Sequence, residues 1–128
     1  MEFTLKDTFE STPKEIYTAW LDSEKHGEMT GGAAQISNKE GDAFSAWDGY
    51  ISGKNITLEP FQRIVQSWRT TEFEDDEPDS RIEILLKTVN GQTELTLIHS
   101  NLSENGGHYK QGWIDYYFQP MKSYFQGE

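Results

Sequence analysis

The sequence predicts an α+β fold in which an antiparallel sheet packs against one long C-terminal helix. Three observations predict it. Strand-like runs with period-two alternation fill the middle of the chain, with turn signals such as Asn90-Gly91 between them. From Gly107 or His108 to Phe125 the apolar residues recur instead at helical spacing. That single helix carries a broad aromatic face, which one sheet can cover as a second layer.

Phe3, Leu5 and, after a register change, Phe9 suggest an opening strand. In STPKEIYTAW, Ser11 or Thr12 can cap a helix, Pro13 suits its first turn, and Glu15 completes a capping box with Thr12. Ile16 and Trp20 then share one face. A second short helix is expected from Asp22 to Met29, stopped by Gly31-Gly32. Six strands follow: Ala34 to Ile36, Asp42 to Trp47, Tyr50 to Leu58, Arg63 to Arg69, Arg81 to Val89 and Thr93 to His99. Asp48-Gly49 reads as a two-residue hairpin turn. Such a turn sets Trp47 opposite Tyr50 on one face, with Phe44, Ala46 and Ile51 on the other. In the last helix, Trp113, Tyr117 and Met121 form a stripe that Ile114 and Phe118 widen. Pro120 cannot donate to the carbonyl of Tyr116, so a kink or a loosened turn is expected there.

The 128 residues suit one domain with a sizeable core. Seventeen aromatics (7 Phe, 6 Tyr, 4 Trp) supply much of its volume. No cysteine is present, which excludes disulfides and thiolate chemistry. MEFTLKDTFE lacks the basic and apolar regions of a signal peptide, so a cytoplasmic protein is expected. The net charge of -11 argues against nucleic acid and anionic membranes as partners, and no membrane insertion is expected. Much of that charge lies in EFEDDEPD, residues 72–79, which reads either as a solvated, self-repelling loop or as a docking strip for a basic protein surface.

Longer stretches carry a family likeness. GGAAQIS, GDAFSAWDGYISGKNITLEP, RIVQSWR, TELTLIHSNL and GWIDYYFQPMKSYF together resemble the family named after the activator of the heat-shock protein 90 ATPase, within the START-like, Bet v 1-like superfamily. The likeness covers nearly the whole chain. It implies a single START-like domain over residues 1–128 with the helix-grip fold: a curved antiparallel sheet gripping the C-terminal helix, one or two short helices after the first strand, and a cavity between sheet and helix. The eukaryotic activator has a further N-terminal domain that makes much of its chaperone contact, and this chain is expected to lack it.

Catalytic chemistry finds little support. His26, His99 and His108 have no metal-ligand spacing, and no metal or cofactor is expected. His26, in a Glu/Lys-rich stretch, reads as exposed. His108 reads as solvated near the start of the last helix. His99 continues the Leu95, Leu97 face and reads as a satisfied buried histidine or as a polar anchor in an apolar pocket. Asp48, Glu59 and Asp115 are isolated carboxylates, and Asp115 points away from Trp113. The serines lie in no activated-serine motif. Trp47, Tyr50, Trp68, His99, Trp113, Tyr116, Tyr117 and Met121 are the candidate cavity residues, offering aromatic faces, polar handles and one adaptable thioether. Dense packing of the same side chains is the competing expectation. The leading reading is a non-enzymatic module for a small lipophilic or amphipathic molecule. The alternatives are a co-chaperone-like regulator of the heat-shock protein 90 ATPase acting through its surface, and a small-molecule cyclase or hydrolase.

Overall fold

The computed structural model describes residues 1–126. Strand β1 (Phe3–Phe9) leads through the Thr12 cap into helix α1 (Pro13–Trp20). The capping box is complete. The Thr12 hydroxyl accepts from the Glu15 amide, and the Glu15 carboxylate accepts from the Thr12 amide. Helix α2 (Ser23–Thr30) starts on an Asp22 cap and ends at Gly31, whose φ of 93° suits a residue without Cβ. Strands β2 (Ala43–Ala46), β3 (Ile51–Glu59), β4 (Arg63–Thr70), β5 (Ser80–Val89) and β6 (Gln92–Ser100) complete one six-stranded antiparallel sheet. Its order is β1-β6-β5-β4-β3-β2.

Three expectations are corrected. β1 pairs with β6 without a break from Phe3 to Phe9, so there is no register change. The segment around Ala34 to Ile36 forms only one bridge, Gln35 to Ser45, so five strands follow the helices. The Asp48-Gly49 turn forms, with the Tyr50 amide donating to the Trp47 carbonyl at 3.0 Å, but strand pairing stops short of Trp47 and Tyr50. Ala46 pairs with Ile51, and residues 47–50 form the loop. Trp47, Asp48 and Gly49 all have positive φ, at 51°, 57° and 92°. The cause lies outside the hairpin. The Asp48 amide donates to the Ala33 carbonyl, and the Asp48 carboxylate accepts from the Ala33 amide. Docking on the Gly32-Ala33 backbone opens the loop and turns the Trp47 indole onto Gly32. By contrast, Asn90-Gly91 is the expected two-residue turn, with both φ positive and Val89 paired to Gln92.

A short 3₁₀ turn (Glu104–Gly107) precedes the C-terminal helix, which is built from α3 (His108–Trp113), a π segment (Ile114–Phe118) and α4 (Gln119–Phe125). The Gln119 amide reaches back to the Ile114 carbonyl, so the loosened turn lies just before Pro120. The helix crosses the inner face of the sheet. Near its start, the Tyr109 and Thr70 hydroxyls are 2.6 Å apart. Near its end, Lys122 bonds Asp7 on β1, and Phe118 meets Phe9 edge-on. Ile64, Trp68, Ile82, Ile84, Leu95 and Leu97 cover the core between them.

The acidic stretch is more ordered than a self-repelling loop. Arg69 donates to the Glu74 and Glu77 carbonyls and to the Asp79 carboxylate, and it lies over the Phe73 ring. One cation therefore staples the loop while the Asp75 and Asp76 side chains remain exposed.

Candidate functional site

A cleft of about 520 Å³ opens between the β2–β3 hairpin and the first half of the C-terminal helix. It exists because two groups of contacts bridge hairpin and helix while leaving the space between them unfilled. At one, the Trp47 ring meets Tyr116 edge-on, 5.7 Å between centroids. At the other, the Tyr50 hydroxyl donates to Glu72, and Glu72 lies 3.5 Å from the His108 ring nitrogen. Burial first, and then the Glu72 bond, raise the Tyr50 pKa, so its hydroxyl stays protonated and donating. Gly112 lies in the wall, and a Cβ built there meets nothing within 4 Å.

Of the candidates, Trp47, Tyr50, Trp68, Trp113, Tyr116 and Tyr117 all border this cleft. Met121 and His99 do not; both are fully buried. Ser80 donates its hydroxyl proton to the Trp68 carbonyl, so its oxygen accepts from His99 Nε2 at 2.8 Å. His99 Nδ1 then accepts from the Trp113 indole at 2.9 Å. This fixes the Nε2–H tautomer and satisfies both nitrogens. Burial lowers the His99 pKa to about 3. His99 therefore positions Trp113 from behind the wall.

His26 is not exposed, contrary to its charged neighbourhood. It shares the buried face of α2 with Met29 and Thr30 and is 1% exposed. Its Nδ1 lies 2.9 Å from the Trp20 carbonyl, to which it must donate, and Nε2 accepts from the Tyr117 hydroxyl at 3.0 Å. Burial lowers its pKa to about 4, against the smaller opposing effect of the Trp20 bond. A second buried chain runs from the Trp20 indole to Gln66 and on to Asn55.

Sequence reasoning missed Ile51, His108, Tyr109, Gln111, Gly112 and Asp115 on the cleft wall. A signal existed for Tyr109 and Gly112, which lie one helical turn before Trp113 and Tyr116. Asp115 joins them because the cleft is wide enough to reach the flank of the helix, where the Gln111 amide donates to it at 2.9 Å. The Trp47 indole N–H is buried and has no partner among the described residues. Among those residues no group of three His, Cys, Asp or Glu side chains is disposed to hold a metal, and no helix is long and apolar enough to cross a membrane.

Residues 10–126 match the family model described as Activator of Hsp90 ATPase homolog 1-like protein. The human Activator of 90 kDa heat shock protein ATPase homolog 1 is 30% identical over 128 residues, which is 97% of this chain and 37% of that protein. An uncharacterized protein of Schizosaccharomyces pombe is 28% identical over 92% of this chain and 35% of its own length. The chain thus spans little more than a third of these curated relatives. Among solved structures, an HSP90 activator from Plasmodium falciparum superposes with a TM-score of 0.89 at 21% identity, covering 98% of this chain and 96% of that one. The Aha1 dimer from Colwellia psychrerythraea gives 0.84 at 16% identity, with 99% and 97% covered. At these identities the superpositions establish the shared fold.

Proposed function

Since the chain belongs to the family of activator of Hsp90 ATPase homolog 1-like proteins, with the helix-grip fold of its structural relatives, we propose that it is a non-enzymatic binding module whose cleft takes a small amphipathic molecule. The observation that carries this is the open aromatic cleft. Its volume of about 520 Å³ falls in the usual range of ligand sites. Tryptophan and tyrosine walls offer wide apolar faces to an apolar tail, and the tyrosines add a polar handle each.

Gly112→Phe tests it. A Cβ here meets nothing within 4 Å, so a ring can be added on the wall to narrow the cleft without disturbing the core. In a screen of small aromatic and aliphatic amphiphiles, bound members should shift the indole N–H signals of Trp47, Trp68 and Trp113 together. Trp20, bonded to Gln66 away from the cleft, should shift least. Gly112→Phe should weaken binding severalfold while the protein stays folded. Affinities unchanged by Gly112→Phe, or a screen that moves no indole, would overturn the proposal.

Family membership supports a second reading, regulation of a heat-shock protein 90 chaperone through the outer surface. The stapled acidic loop is its candidate contact. Asp75→Asn, Asp76→Asn and Glu77→Gln together should change stability by no more than about 0.5 kcal/mol, as surface changes usually do. The Arg69 bonds run to the Glu74 and Glu77 carbonyls and to Asp79, and all of these remain. Affinity for the chaperone and its salt dependence should both fall. Tight binding indifferent to the triple substitution would remove this strip from the contact.

A further inference from the structure

Resting on the binding-module reading, we infer that the cleft selects a cationic amphiphile, an amine or quaternary ammonium carried on a short apolar tail. The cleft wall carries aromatic faces and negative charge but almost no positive charge. Trp47, Tyr50, Trp68, Tyr109, Trp113 and Tyr116 supply rings, and no Lys or Arg is among the lining residues. The face of an aromatic ring attracts a cation through its quadrupole, most strongly for tryptophan, and more so where water is displaced.

Two carboxylates set the sign further. Asp115 lies on the cleft wall, held by Gln111. Glu72 stands behind Tyr50 and accepts a hydrogen bond from its hydroxyl. The one basic side chain on the wall is His108, and Glu72 faces it at 3.5 Å. The whole chain carries -11, so its field also concentrates cations. An anionic amphiphile such as a fatty acid would place its carboxylate among these groups with no basic partner except His108. A neutral one would gain the apolar contacts alone.

Three probes separate these cases: hexanoylcholine, its uncharged carbon isostere neohexyl hexanoate, and the anion octanoate. Binding is read from the indole signals of Trp47, Trp68 and Trp113. Hexanoylcholine should bind about tenfold more tightly than the isostere, equivalent to about 1.4 kcal/mol, and octanoate should be the weakest. Asp115→Asn should weaken hexanoylcholine severalfold and leave the isostere unchanged, and added salt should weaken hexanoylcholine alone. Equal affinity for the two esters, or tighter binding of octanoate, overturns the charge selectivity while leaving the binding module intact. Failure of all three probes to move the indoles overturns this inference. The binding-module reading is judged separately, by the amphiphile screen and the Gly112→Phe variant.

Discussion

Gly53→Ala should destabilise the protein by roughly 3 kcal/mol, the upper end for an overpacked site. Gly53 lies in β3 between two neighbours that leave no room. A Cβ built there would sit 1.9 Å from the Ser67 carbonyl oxygen and 2.8 Å from the Phe44 ring. The nearer atom belongs to the backbone of β4, so no side-chain rotation relieves the collision. The strands must separate, which strains the bond from the Lys54 amide to the Ser67 hydroxyl at 2.9 Å and the Ser52 to Arg69 pairing. The hairpin that forms one wall of the cleft would loosen with it. Urea denaturation of the variant beside the parent protein gives the difference directly. An unchanged midpoint would mean that β3 and β4 do not approach at Gly53 as described.

A loss of stability in mild acid is the second large effect, and its origin is the pair of buried neutral histidines. In the unfolded chain both take up protons near pH 6.5; in the folded protein burial delays this to about 4 for His26 and about 3 for His99. Below pH 6.5 the unfolded state therefore binds more protons, and stability falls as pH falls through that window. Each histidine should remove on the order of 1 kcal/mol per pH unit. The window above about pH 5 isolates them, because carboxylates ordinarily titrate lower. Urea midpoints between about pH 7.5 and about pH 5 should drop steeply, with close to two protons taken up on unfolding at the lower end. A flat profile over that range would show that neither ring is held neutral by burial, and half the expected slope that only one is. His99→Phe should also weaken amphiphile binding, because the Trp113 indole loses its acceptor. A purely structural histidine remote from the cleft would leave binding alone.

Local features of the fold were legible because their chemistry is local. The Thr12–Glu15 capping box, the Gly31 stop and the Asn90-Gly91 turn each involve residues within a few positions of one another. The Pro120 expectation also holds, since a missing N–H disturbs its own turn whatever packs against it. His26 failed for the opposite reason. Its neighbours Glu24, Lys25 and Glu28 are charged, but burial of a helix face is decided by the partner at i+3 and i+4 and by what lies opposite. Opposite lies Tyr117, 91 positions away.

The cleft shows the same division. Its supply of aromatics, its acidic setting and the helical stripe through Trp113 follow from composition and periodicity. These belong to the chain itself, because a side chain's direction along a helix or strand is set by backbone geometry. Which aromatics became wall and which became core was decided only by the tertiary structure. Docking of Asp48 on Ala33 rotated Trp47 out of its expected pairing, and the Ser80–His99–Trp113 chain pulled His99 behind the wall. The width of the gap depends on contacts such as Trp47 with Tyr116 and Tyr50 with Glu72, each joining elements far apart in sequence. No periodicity encodes that distance: it is the residual space left when hairpin and helix have each packed against the sheet.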